Sequence, residues 1–225
     1  MVKATTSKCL DSNYFDDDYY NRKNIFEVLK KGGYKKGSHK KLNLWKWDFI
    51  TDFYKKKNGS VMDLGCGAGF FLECVPDKFS TYGLDISPSS IKIVTKKGFN
   101  AVEADLSKSV PTKLKGKKFD VVCAFDTLEH VPNLDLFLEN TTKLMHKNSL
   151  FFIEVPIKTK FHDFISRFGL GLLHIDPTHV NKEDHIWWEQ KFSKNFKIIS
   201  SNRVTYKKHY VKGCGLLGLF VLKLK

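Results

Sequence analysis

The sequence predicts an α/β fold, a mainly parallel sheet covered by helices on both faces. Three observations predict it. Short apolar runs alternate with amphipathic stretches from residue 60 to residue 194. The first run ends in a glycine-rich turn, Gly65-Cys66-Gly67-Ala68-Gly69, at the strand end where such sheets open a ligand crevice. The last two runs, 197–206 and 216–224, are separated by a short turn region, which implies an antiparallel hairpin at the sheet edge.

The elements follow in order. Residues 42–56 carry Leu42, Trp45, Phe49 and Phe53 on one helical face. Ser60-Val-Met-Asp-Leu reads as a buried strand, and an apolar helix with Phe70, Phe71, Leu72 and Val75 is expected after the glycines. Residues 81–86 form the second strand. Ser87 and Pro88 then start a helix, as N-cap and first-turn residue, and Gly98 stops it after Lys96 and Lys97. Strands are expected at 100–106, 119–125 and 149–155, and helices at 133–147 and 183–194.

Composition removes several classes. The 225 residues, 42% hydrophobic, can build a full core. Cys9, Cys66, Cys74, Cys123 and Cys214 show no paired spacing, which reads as reduced thiols of a cytoplasmic protein. The first residues lack the apolar core of a signal peptide, and no run approaches the ~20 apolar residues of a membrane span. The net charge of +14 admits nucleic acid or an anionic membrane surface as partner. However, Arg22, Arg167 and Arg203 are the only arginines, and bidentate phosphate and guanine contacts favour arginine. A lysine-rich solvated surface is the favoured reading.

Three strand ends in succession offer ligand-binding groups. The glycine turn lets a ligand approach the backbone. Asp85 closes the second strand, where a carboxylate can accept from both hydroxyls of a ribose. Asp105, at the end of the third strand, can accept from an adenine amino group. The turn lacks both the phosphate-binding G-x-x-x-x-G-K-[ST] pattern and the dinucleotide G-x-G-x-x-G spacing.

Asp63-x-Gly65-Cys66-Gly67-x-Gly69 resembles the first motif of class I S-adenosylmethionine-dependent methyltransferases. Gly83-Leu84-Asp85-Ile86-Ser87 resembles their second motif and Ala104-Asp105-Leu106 their third. The fourth, running from Phe119 to Val131, ends in Leu128-Glu129-His130-Val131 and is similar to the small-molecule branch that includes quinone-biosynthesis enzymes. The resemblance implies a Rossmann-like three-layer sandwich with a seven-stranded, mostly parallel sheet whose last strand is antiparallel. It implies S-adenosylmethionine bound by Asp63, Gly65, Cys66, Gly67, Gly69, Asp85, Ile86, Asp105, Leu106 and Phe125. The expected organisation is an N-terminal helical cap segment at 1–57 and a methyltransferase domain at 58–225, with a cap insertion at about 157–182. The acidic-aromatic stretch at 14–20 is similar to segments that close over the cofactor.

Methyl transfer needs alignment of acceptor, methyl and sulfur, and a base when the acceptor is a hydroxyl. Asp126, Glu129 and His130 follow the fourth strand, and His130 is the base candidate, with bracing of the turn before Pro132 as its structural alternative. His174, Asp176 and His179 form a second candidate cluster of base and orienting groups. Two histidines five apart do not match the helical i, i+4 metal pair, so no metal is expected. Phe161, Phe164, Ile165 and Phe168 read as a packed cap helix, or as a lid resting on a membrane surface with Lys158, Lys160 and Arg167. The predicted acceptor is an oxygen of a small molecule, lipid or saccharide. An RNA or protein acceptor is the alternative, disfavoured because the Asp/Asn-Pro-Pro-aromatic signature of base-amino methylation is absent.

Overall fold

The computed structural model describes residues 39–159, 178–204 and 216–225, with side chains from 43 onward in the first stretch. The expectations for 14–20, for Phe161 to Phe168 and for His174 and Asp176 lie outside the described residues. The described elements are α1 (His39–Phe53), β1 (Gly59–Leu64), β2 (Phe79–Asp85), α2 (Pro88–Lys96), β3 (Asn100–Glu103) and β4 (Phe119–Phe125), followed by α3 (Leu134–Thr142), β5 (Met145–Pro156), α4 (His185–Phe192), β6 (Phe196–Val204) and β7 (Leu217–Leu224).

These strands form one seven-stranded sheet in the order β3-β2-β1-β4-β5-β7-β6. Pairing is parallel from β3 through β5, and β7 runs antiparallel to both β5 and β6. The expected sheet, with its last strand reversed, is therefore present. Successive β1 and β4 residues alternate between two buried clusters. Met62, Leu64, Val122 and Ala124 join the cluster with Phe137, Leu138 and Trp188 from α3 and α4. Val61, Val121, Cys123 and Phe125 join the one with Phe49, Ile50 and Val94 from α1 and α2. Period-2 alternation thus gives each face of the sheet its own helical layer. Chain order reverses direction between β1 and β4, so the crevice opens at their carboxyl ends.

Two expected elements differ. The stretch after the glycine turn is not an α-helix; it makes one 3-10 turn, Leu72–Cys74, and Val75 is extended at φ −80°, ψ 129°. Pro76 explains this, because its ring disfavours helical geometry in the preceding residue. The helix expected over 133–147 ends at Thr142, and Met145 already pairs with Phe119 in the sheet. Long-range pairing overrides the apolar periodicity there. By contrast, α2 is capped as expected, with the Ser87 hydroxyl accepting from Ser90 N at 3.3 Å and Gly98 left-handed at φ 87°.

Candidate active site

A cavity of about 460 Å³ sits at the carboxyl ends of β1, β2 and β4. The glycine turn forms its floor. Gly65 N and Cys66 N donate to Leu84 O at 2.7 and 3.0 Å, which ties the turn to β2. Gly65 has φ 76°, and a Cβ there would overlap the Thr127 side chain. Gly67 has φ 49° and donates its N–H to Asp85 Oδ2 at 2.8 Å. Gly69 is not on the cavity wall; a Cβ there would meet Val94 of α2 at 3.0 Å, so this glycine serves helix packing.

The other expected cofactor residues, Asp63, Gly65, Cys66, Gly67, Asp85, Ile86, Asp105, Leu106 and Phe125, all line the cavity. Their polar groups are partly occupied by the protein. Asp85 accepts from Ser87 N and Gly67 N, both at 2.8 Å, one on each carboxylate oxygen. A carboxylate offers about four lone-pair sites, so capacity for ligand hydroxyls remains. Burial raises the Asp85 pKa, and the backbone N–H groups of Ser87, Gly67 and Ile86 partly oppose this. Asp105 accepts from Ser107 N at 2.9 Å, which makes an Asx-type turn.

Lys46 and Asn43 also line the cavity, and the sequence reading missed both. Of the expected face of α1, Phe49 is buried and Trp45 and Phe53 pack partly buried against the same cluster, while Asn43, Lys46 and Ile50 are buried as well. Lys46 is 3% exposed, with Nζ 2.9 Å from Asp126 Oδ2 and 3.6 Å from Glu154 Oε1. It also lies over the Phe125 ring at 5.1 Å. Burial alone would lower its pKa, but Asp126 and Glu154 hold it above the ordinary lysine value. Burial also pushes Asp126 upward, yet Lys46 outweighs it and leaves the carboxyl below its ordinary value. A lysine at helical spacing from Phe49 and Ile50 was the available signal, but its buried partners come from β4 and β5. Asp126 itself has φ 52°, a left-handed conformation that Asp tolerates better than most residues.

Asp63 is buried, and that burial, with Asp85 nearby and Lys46 opposing, pushes its pKa up to about 7. A raised carboxyl pKa means the folded state keeps a proton that the unfolded chain releases. Stability from this group therefore falls as pH rises from about 4 through 7. Asp63→Asn is expected to stabilise the protein by about 4 kcal/mol at pH 8 and little at pH 4. Denaturant titration at the two pH values measures this, and equal effects at both would contradict it.

His130 lines the cavity beside Asp126 and Thr127. Its Nδ1 is 2.8 Å from Thr178 Oγ1, and its ring meets that of His179 at 4.7 Å, edge to face. His179 is behind His130 and not on the cavity wall. Glu129 is 1% exposed, burial holds its carboxyl well above the ordinary value, and its Oε2 has no hydrogen-bond partner among the described residues. The ligand atoms of Glu129, His130 and His179 lie within 4.8 Å of one another. Spacing along the chain could not reveal this group, because tertiary folding joins the segment after β4 to residues 178–181. Val180 N and Asn181 N donate to Glu129 O at 2.8 and 3.0 Å, and Asn181 Nδ2 donates to Leu128 O and Val131 O, both at 2.8 Å.

Known proteins resemble this chain in sequence and fold. It is 35% identical over 108 residues to the ubiquinone biosynthesis O-methyltransferase of Pelagibacter ubique, covering 46% of this chain and 44% of that protein. The same enzyme of Agrobacterium fabrum is 33% identical over 96 residues, 41% of this chain and 38% of that one. The chain thus matches less than half the length of these curated relatives. A SAM dependent methyltransferase structure from Archaeoglobus fulgidus superposes with a TM-score of 0.64 at 21% identity, covering 90% of this chain and all of that one. Another from Aquifex aeolicus gives 0.61 at 14% identity, covering 96% and 100%. The methyltransferase domain family model matches residues 38–201, from α1 into β6, and the chain belongs to that family.

Proposed function

We propose that this chain is an S-adenosylmethionine-dependent methyltransferase acting on a hydroxyl of a small, lipid-like molecule. One observation carries the reading: nine of the ten residues expected to hold the cofactor line one cavity. The cavity's features fit an adenosine-bearing ligand, with left-handed Gly65 and Gly67 in its floor, Asp63 and Asp85 buried in its wall, and Asp105 beside them. Asp85 and Asp105 would take the ribose and the adenine, and Asp63 with Lys46 would face the charged methionine end. S-adenosylmethionine supplies an electrophilic methyl group on a sulfonium. The chain's residues orient the acceptor and exclude water. His130, on the cavity wall with Asp126 and Thr127, is assigned as the base that takes the acceptor hydroxyl's proton. In the tautomer whose Nδ1–H donates to Thr178 Oγ1, 2.8 Å away, Nε2 is the basic nitrogen. The ubiquinone O-methyltransferase relatives support a small oxygen acceptor. No described helix is long and apolar enough to cross a membrane.

The acceptor class is tested with methyl-labelled S-adenosylmethionine and fractionated cell extract. Label is expected in the small-molecule and lipid pool; label in RNA or protein would replace this reading with the alternative. The cofactor site is tested by Asp85→Ala, which strands two backbone donors and removes the acceptor for the ribose. Calorimetry with S-adenosylhomocysteine is expected to show well over tenfold weaker binding, and unchanged affinity would remove the ribose assignment.

A further inference from the structure

The glycine turn lacks the α-helix that would hold it from the far side, since only the 3-10 turn Leu72–Cys74 follows. Another element grips it instead. Lys97, at the end of α2, donates from Nζ to the Ala68 carbonyl at 2.8 Å. The same ammonium pairs with Glu73 at 2.7 Å and lies 4.7 Å from the centroid of Phe70. Ala68 and Phe70 both line the cavity. One helical turn earlier, Val94 packs where a Gly69 Cβ would stand. Helix α2 therefore meets the turn at two points, one apolar and one cationic.

We propose that Lys97 is a positioning residue for the cofactor: it fixes the Ala68 peptide and Phe70, and so holds the glycine turn ready for its ligand. The inference rests on the cavity being the S-adenosylmethionine site. A charged donor on a backbone carbonyl is among the stronger hydrogen bonds. A turn fixed before binding loses less entropy when the ligand arrives. Lys97 touches neither the cavity nor any group assigned to the methyl transfer, so its loss should act on affinity alone.

The test uses Lys97→Met, which keeps an unbranched side chain of similar length and removes the ammonium, with Lys97→Arg as the conservative variant and Glu73→Gln as a third. Calorimetry with S-adenosylhomocysteine is expected to give a Kd raised about 5–10-fold in Lys97→Met, and within about twofold of the parent in the other two. Once the acceptor fraction is known, KM for S-adenosylmethionine should rise by the same factor with kcat unchanged. Equal Kd values in parent and Lys97→Met overturn the inference alone. So does a loss in Lys97→Met that Lys97→Arg fails to restore, or a fall in kcat at unchanged Kd. A parent protein that binds no S-adenosylhomocysteine overturns the cofactor reading and this inference together.

Discussion

Lys46→Met is expected to cost about 3–5 kcal/mol of folding free energy at pH 8, because it leaves the buried Glu154 and the partly buried Asp126 without their cation. Asp126 accepts from Lys46 at 2.9 Å, Glu154 is 3.6 Å away, and Glu154 is fully buried. A loss of that size is a large share of a domain's ordinary stability. The pH dependence has a defined sign. In the parent, Asp126 is held below its ordinary pKa by Lys46, so its contribution is complete above the ordinary carboxylate range and fades as pH falls through the folded-state value. The raised pKa of Lys46 likewise gives a contribution that is complete below the ordinary lysine value and fades only in strong alkali. Without Lys46, burial alone pushes the carboxyls up. The folded variant then binds more protons than its unfolded chain and gains stability as pH falls from 8 to 5. Denaturant unfolding at both pH values measures the gap, expected to narrow at pH 5. A pairing of Lys46→Met with Asp126→Asn should recover part of the loss, since contacting residues couple. A loss under about 1 kcal/mol, independent of pH, would show that the buried pair is not a structural necessity.

His130→Ala is expected to lower kcat by about 10²–10⁴-fold, the usual contribution of a positioned base. Binding of S-adenosylhomocysteine should stay within about twofold, since His130 is assigned to the acceptor side and the cofactor-side network of Asp63, Asp85 and Asp105 is untouched. Thr178→Val should give a smaller fall, because it removes only the 2.8 Å partner of Nδ1. Weakened cofactor binding at unchanged kcat would move His130 from the chemistry to the cofactor wall. Loss of thermal stability without either kinetic change would make it a brace for the turn before Pro132.

The sequence by itself determined the layered sheet, because side-chain period and local stop signals are written along the chain. Ser87, Pro88 and Gly98 bound α2 through their own backbone chemistry. Most of the cofactor wall was equally legible, because in a parallel sheet consecutive strand ends converge on one crevice, so Asp63, Asp85 and Phe125 needed only their positions in their strands. Gly69 was legible as a glycine, but its task was not: Val94 makes it a packing contact. What tertiary structure decided is what depends on partners distant in the chain. Lys46 is buried through Asp126 and Glu154, which widens the buried face of α1 beyond the apolar stripe of Trp45, Phe49 and Phe53. The end of α3 was set by β5, whose pairing with Phe119 outcompetes helical periodicity. Glu129, His130 and His179 come together only because residues 178–181 fold back on the turn after β4. Burial and charge pairing are properties of neighbours in space, and a single chain read in order carries no record of which neighbours those will be.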